Sequence, residues 1–174
     1  MKQTKNIYLD NAATTGLSDS MQIYLSSLLA VYGNPSSLHS VGAQAKQIIE
    51  GSRLCAARFL NAGPQEIYFT PSAAAGNTLA VKGLSCDDPK RNRYEVFYSP
   101  TAHKSMLRAC ESCVCHTPLK TDPVGRIDLS SLDHIMTHHN SLTPLVCIEA
   151  ANSEIGAVND VIAIGTIVHK HKGV

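Results

Sequence analysis

The chain predicts an α/β fold: a partial doubly wound, mainly parallel sheet with helices on both faces. Three observations carry this expectation. Strand-like and helix-like segments alternate along the chain. Strand runs such as "PLVCIEA" (144–150) are continuously apolar, as expected where helices cover both faces of a parallel sheet. The stretch "EIYFTPSAAAGNTLAVKG" (66–83) passes from β-forming residues through a turn of very small residues into a helix, the arrangement that cradles phosphate in α/β proteins.

The elements follow in order. "SDSMQIYLSSLLAVYG" (18–33) carries a capping Ser18 or Asp19, apolar residues near helical spacing, and Gly33 as a stop. "VGAQAKQIIEGSRLCAARFL" (41–60) puts Ala45, Ile48, Ile49, Ser52, Ala56, Phe59 and Leu60 on one helix face. It ends at Asn61-Ala62-Gly63-Pro64, a strong terminator. The pattern then predicts a strand over 66–70, a helix over about 73–85, a strand over 94–99 and a helix over about 103–111. A short strand over 113–117 follows, then a helix over about 131–139 capped by Ser130 or Ser131, a strand over 144–149, and a helix over about 160–172. Gly173 reads as the residue that turns the chain out of that helix, and Val174 as the start of another strand. A doubly wound sheet stopping there leaves edges and faces uncovered, so a partner or a longer chain is expected to supply the rest.

A length of 174 residues suits one domain able to bury about two-thirds of its unfolded surface. With 44% hydrophobic and 17% charged residues, the chain is globular in composition rather than disordered. The net charge is +1 and the basic residues are scattered, which gives nucleic acid no footprint. The densest basic group, Lys90-Arg91-Asn92-Arg93, sits beside Asp87 and Asp88 and reads as a solvated loop. No apolar run approaches a membrane span, and "MKQTKNIYLD" lacks a signal peptide's apolar stretch, so the expected compartment is the cytoplasm. Six cysteines in such a chain read as reduced thiols.

"CESCVCH" invites a metal reading, through Cys110, Cys113, Cys115 and His116. Zinc ligands normally come as two pairs separated by a loop, whereas these four fall within one short run. Cys113 and Cys115 alternate with Val114 on one face of a short strand, the pattern of core thiols. No metal site is assigned. "HIMTHH" contains the i, i+4 pair His134 and His138, with His139 beside it, and reads as exposed helix histidines.

Four separated segments, "YLDNAATT" (8–15), "GNPSSLHSVG" (33–42), "HKSML" (103–107) and "NSEIG" (152–156), resemble in order and spacing the cysteine desulfurases. These are pyridoxal 5'-phosphate (PLP) enzymes of the class V aminotransferase group. The resemblance runs over essentially the whole chain and covers the N-terminal part of the family's large domain. It implies that residues 1–174 are the N-terminal segment and first part of that domain, without its remainder and the small C-terminal domain. His103 then matches the histidine that stacks over the PLP ring and moves protons, roles that suit a flat imidazole titrating near neutrality. Asn152 matches the asparagine near the cofactor's phenolic oxygen and the substrate carboxylate. Their local alternatives are a structural histidine at a helix start and a turn-forming asparagine. Glu154, Ile155 and Gly156 are expected to shape the loop, while "NAATT" and "GNPSSLH" either line the site or simply lead into helices.

The resemblance puts the cofactor's phosphate loop at Ser72, Ala73 and Ala74. Here the series departs from the family pattern: the phosphate-binding threonine corresponds to Ala74, the turn glycine to Ser72, and an acidic residue before the histidine to Ala102. Backbone N–H groups at a helix N-terminus still bind an anion. Losing one hydrogen bond to a charged group costs about 1.5–3 kcal/mol, so PLP binding is expected to be weakened, or absent in this chain alone. The lysine that carries the cofactor, the carboxylate that protonates its ring and the nucleophilic cysteine lie, in the family, beyond these residues. Lys104 is not that lysine, and none of the six cysteines is that nucleophile.

The function implied is therefore that of a cysteine desulfurase, converting L-cysteine to L-alanine and a protein persulfide for iron–sulfur or thiocofactor assembly. A homodimer or a complementary C-terminal chain, and a sulfur-acceptor protein, are the implied partners. Alternative readings are a non-catalytic remnant or interaction module, another class V PLP enzyme such as a selenocysteine lyase, and, last, a zinc-binding module.

Overall fold

The computed structural model describes residues 7–85, 93–139 and 142–174. Most of the expected basic loop, including Lys90 and Arg91, and Cys86 lie outside the described residues. The chain divides into two compact units, Met1–Phe69 and Thr70–Val174.

In the first unit, α1 spans Asp19–Leu28, and the Ser18 hydroxyl accepts from the Met21 N–H at 3.3 Å. This satisfies one of the N–H groups that a helix start leaves unpaired. Helix α2 spans Ser40–Leu60 and is capped by a side chain that the sequence did not single out, the His39 ring, whose Nδ1 accepts from Gly42 N–H at 3.3 Å. "GNPSSLH" is thus the turn that leads into α2. Gly42 is required there, since a Cβ would lie 2.6 Å from the Asn34 carbonyl oxygen. The helix ends at Asn61 in the left-handed conformation (φ 51°), which asparagine tolerates. Along the expected apolar face Ala45, Ile48 and Ala56 are half-buried, whereas Phe59 stays 90% exposed.

The strand expected over 66–70 does not form. Pro64–Glu66 makes a 3₁₀ turn closed by the Glu66 carboxylate, which accepts from Gly63 N–H at 2.6 Å. Beyond it the Ile67 carbonyl accepts from the Arg53 guanidinium, which also lies 5.1 Å over the Phe69 ring. The β-forming composition is real, but these groups find side-chain partners instead of a neighbouring strand.

The second unit is a three-stranded parallel sheet with helices on both faces. Its strands are β1 (Tyr94–Tyr98), β2 (His116–Pro118) and β3 (Thr143–Cys147), in the order β2-β1-β3. Val96 pairs with His116 on one side and with Leu145 on the other. Alternation along β1 and β3 sends side chains to two cores. Val96, Tyr98, Leu145 and Cys147 face α3 (Ala73–Leu84) and α4 (Lys104–Glu111), meeting Val81, Ala109, Cys110 and Cys113. Phe97 and Val146 face α5 (Leu129–His138) and α6 (Val161–Lys170), meeting Leu132, Met136, Ile164 and Val168. Phe97, 1% exposed, is the largest fully buried side chain, and such burial contributes about 1.5–3 kcal/mol.

Three boundaries move from their expected places, each for a local reason. Strand β2 begins at His116 because Cys113 is held in the turn after α4, its N–H bonded to Cys110 O at 3.0 Å. Helix α5 starts two residues early, capped by Asp128 rather than Ser130 or Ser131. The Asp128 carboxylate accepts from both serine N–H groups, at 2.9 and 3.1 Å. Helix α6 ends with Lys172, not Gly173, in the left-handed conformation (φ 59°). Gly173 N–H reaches back to Val168 O at 3.0 Å, and Lys172 N–H to His169 O at 3.0 Å, a Schellman closure. Glycine is still needed at 173, where a Cβ would lie 2.8 Å from Val168 Cγ1. Val174 then runs along the free edge of β3 as expected of a strand start, donating to Pro144 O (2.9 Å) and accepting from Val146 N–H (2.8 Å).

Candidate active site

The sheet order dictates where a ligand can sit. From β1 the chain turns into α4 on one face, and from β3 into α6 on the opposite face. Neighbouring strands whose connections leave in opposite directions open a crevice at their carboxyl ends, the usual ligand position in open α/β sheets. Here a cavity of about 50 Å³ lies there, lined by Thr101, His103, Glu149, Ala151, Asn152, Ser153 and Glu154. His103 and Asn152, singled out from the sequence and 49 residues apart, thus line one crevice.

His103 is the N-cap of α4, and its ring is exposed. Nδ1 accepts from Ser105 N–H at 3.2 Å and lies 2.8 Å from Ser105 Oγ. That oxygen in turn accepts from the Asn77 amide at 3.0 Å, tying α3 to α4. A ring whose Nδ1 is an acceptor carries its proton on Nε2 when neutral. Nε2 is therefore the atom free to exchange a proton with a ligand.

Asn152 is fully engaged by the protein. Its Nδ2 donates to Thr101 O at 2.6 Å and to Glu149 Oε1 at 3.1 Å, while Oδ1 accepts from Glu154 N–H at 2.9 Å and Ile155 N–H at 3.0 Å. Two donors and two acceptor sites exhaust a primary amide. The expected loop-shaping role of residues 154–156 is visible in these bonds and in Gly156, whose φ of 69° suits glycine. For Asn152 to contact a ligand, one of the four bonds must be exchanged.

At Ser72, Ala73 and Ala74 the structure forms the start of α3. Ser72 is the N-cap, its Oγ accepting from Ala75 N–H at 3.2 Å, so its hydroxyl proton stays available. The Ala73 and Ala74 N–H groups have no partner among the described residues. They point out of the positive end of a 12-residue helix, which favours an anion. Gly76 packs close to this turn, a Cβ there lying 3.3 Å from Thr70 Oγ1. Ala102, in the place of the expected acidic residue, is buried.

Four contributors were not singled out from the sequence. Ser105 and Asn77 position His103, and Glu149 and Thr101 hold Asn152. Only Glu149 carried a signal: a lone carboxylate closing an otherwise apolar strand run at the ligand edge of the sheet. Asn159, buried, supports the same loop by accepting from Ile127 N–H at 2.8 Å and donating to Glu149 O at 2.9 Å.

The cysteine cluster divides between core and turn. Cys110 and Cys113 are buried, with Cys113 Sγ 2.9 Å from Ser85 Oγ, whereas Cys115 is half-buried and His116 exposed. Burial alternates over 113–115 as expected, with Val114 exposed between Cys113 and Cys115, although a turn rather than a strand sets these side chains. Cys147 is the third buried thiol among the described residues. The hydrogen bond with Cys147 and burial push the Cys110 thiol well above its ordinary range. Among the described residues no group of three or more His, Cys, Asp or Glu is arranged to hold a metal. His134 and His138 are exposed as expected, their rings 4.3 Å apart, while His139 is half-buried edge-on to Phe97.

Comparison with known proteins follows the same geometry. Residues 7–174 match the family model described as aminotransferase class-V. A cysteine desulfurase IscS of Shewanella pealeana is 33% identical over 174 residues, covering 95% of this chain and 42% of the relative. The structure of a NifS-like protein from Rickettsia africae superposes with a TM-score of 0.85 at 30% identity, covering 96% of this chain and 46% of the other. A structure of SspA in complex with cysteine matches at 27% identity and a TM-score of 0.84, covering 95% and 48% of the two chains. The chain thus spans less than half the length of these relatives.

Proposed function

Because the chain belongs to the aminotransferase class-V family, we propose that it forms the first part of the PLP-binding domain of a cysteine desulfurase, releasing alanine from L-cysteine and passing the sulfur to an acceptor as persulfide. The single observation that carries this reading is the meeting of His103 and Asn152 in one crevice at the sheet's switch point. Likeness to a structure of SspA in complex with cysteine supports the substrate.

The residues present fit PLP at its anionic end. Two unpartnered N–H groups and a free hydroxyl proton converge at the start of α3, where Ala73, Ala74 and Ser72 would hold the phosphate. The His103 ring would cover the cofactor ring, and Asn152 would give up one internal bond to reach its edge. When bound, PLP supplies an electron sink for the bonds broken at the amino acid. His103, anchored through Nδ1 by Ser105, would hold and release the moving proton at Nε2. The crevice walls, formed by Thr101 and the 151–154 loop, would limit water around that proton.

A homodimer or a complementary chain, a sulfur-acceptor protein and a cytoplasmic location belong to the same proposal. No helix of the described residues is long and apolar enough to cross a membrane. A non-catalytic remnant is the second reading, favoured by the full internal commitment of Asn152 and by the missing hydroxyl at Ala74.

Titration of the ¹⁵N-labelled chain with PLP separates the two. Saturable shifts of the Ala73 and Ala74 amides, and affinity raised about tenfold to a hundredfold by Ala74→Thr, are expected of the PLP reading. A turn unmoved by PLP in both proteins would establish the remnant. After borohydride reduction, mass spectrometry should find no stoichiometric pyridoxyl-lysine on these 174 residues.

A further inference from the structure

The crevice holds one strong acceptor that the protein leaves unfilled. Glu149 follows β3 and is one of the residues lining the cavity shared by His103 and Asn152. Oε1 is crowded with donors: Asn152 Nδ2 at 3.1 Å, Thr101 Oγ1 at 3.3 Å and Ser99 Oγ at 3.5 Å. These bonds fix the plane of the carboxylate. Oε2 is buried from solvent and has no hydrogen-bond partner among the described residues.

Such an oxygen is costly to leave alone. Buried carboxylates are ordinarily paired or hydrogen-bonded, because desolvation is otherwise uncompensated. Glu149 forms no ion pair among the described residues. The remaining hydrogen-bonding capacity of the crevice is therefore complementary to a donor. Asn152 cannot supply it, since both of its N–H groups are already committed to Thr101 O and Glu149 Oε1. Nor do the Thr101 or Ser99 hydroxyls supply it: each has a single proton, and the acceptors within its reach are Oε1, the other hydroxyl at 2.9 Å and, for Thr101, Gly125 O at 3.4 Å.

We infer that Glu149 is a ligand-binding residue of this crevice, its Oε2 receiving an N–H from a cationic group, either an ammonium or a protonated ring nitrogen. The inference rests on reading the crevice as the ligand site. It assigns Glu149 two tasks: Oε1 holds Asn152 in place, and Oε2 selects a positively charged donor. Both a substrate ammonium and a protonated pyridine have this chemistry, and the experiment distinguishes them.

The full chain, labelled with ¹³C and ¹⁵N, is titrated separately with L-alanine and with pyridoxine at a pH that protonates its ring. N-acetyl-L-alanine, which lacks the ammonium, is the control. One cationic probe is expected to shift the Glu149 side-chain carboxyl carbon and the Asn152 amide saturably, and the responding probe identifies the source. Glu149→Gln keeps an acceptor for Asn152 when its amide oxygen takes the place of Oε1, which puts an amide nitrogen, a donor, in the place of Oε2. It should lower the affinity about tenfold to a hundredfold. The carboxyl shift in the unsubstituted chain decides the matter even where Glu149→Gln folds poorly. A carboxyl unmoved by either cation, an equal response to the control, or equal affinity in folded Glu149→Gln overturns the inference. Ala73 and Ala74 amides that respond to PLP while Glu149 ignores both cations would leave the PLP reading standing without it. Glu149 engaged by a cation, with those amides indifferent to PLP, would do the reverse.

Discussion

The Ser105 hydroxyl stands 2.8 Å from His103 Nδ1 while accepting from the Asn77 amide at 3.0 Å, so one small side chain both orients the candidate proton carrier and joins α3 to α4. Ser105→Ala removes both bonds. It is expected to cost about 0.5–1.5 kcal/mol for each net hydrogen bond lost, read as a lower urea midpoint. The His103 Nδ1 resonance should move, because that atom loses the hydroxyl and keeps only the backbone N–H of residue 105 as a donor. A ring resonance identical in the two proteins would show that Ser105 does not position it.

Asn159 bridges the loop that carries Asn152 to the turn before α5. Its replacement by alanine strands the Ile127 N–H, which is buried with its residue, and frees the Glu149 carbonyl. A loss of about 1–3 kcal/mol is expected from the unsatisfied group alone. Hydrogen exchange at Ile127 should accelerate with it, and unchanged protection would contradict the assignment.

Thiol reactivity should follow burial and pairing. Cys55 is exposed, whereas Cys110, Cys113 and Cys147 are buried. Cys110 is held further in its unreactive protonated form by the Cys147 sulfur. An alkylating reagent in mildly alkaline buffer should label Cys55 at once and these three only as the chain unfolds. Peptide mapping against time checks this, and early modification of Cys110 would contradict the packing described.

Asp133 links α5 to the end of α6 through His171 and Lys170, each at 3.3 Å. The hydrogen bond from His171, then that from Lys170, holds its carboxyl below the ordinary aspartate range. A carboxyl depressed on folding adds stability that is fully present above the unfolded value near pH ~4 and is lost as pH falls through the lower folded value. Denaturation midpoints should thus decline more steeply below about pH 4 in the native chain than in Asp133→Asn. Parallel profiles would remove Asp133 from the account.

Much of the architecture is legible in the residues because local signals coincide with tertiary demands. Ser18, Asn61 and the Gly63-Pro64 pair set helix limits by local chemistry that needs no distant partner. The apolar runs of β1 and β3 announce burial on both faces. Where a segment's state depends on what lies beside it, the reading fails: residues 67–69 have strand composition, but Arg53 takes the Ile67 carbonyl. Asp128 outcompetes two serines for α5 because one carboxylate reaches both N–H groups.

The sequence by itself determined the α/β class, the order of the six described helices and of β1, β2 and β3, and the family likeness, and it singled out His103, Asn152 and the turn at Ser72. These rest on periodicity, capping chemistry and motif spacing, all written along the chain. Only the tertiary structure decided that β1 lies between β2 and β3, so that a crevice opens at residues 99–103 and 149–154. It also decided that every hydrogen-bonding position of Asn152 is occupied while one oxygen of Glu149 is not. Such saturation depends on which donors and acceptors meet across dozens of residues, and no local pattern encodes that count.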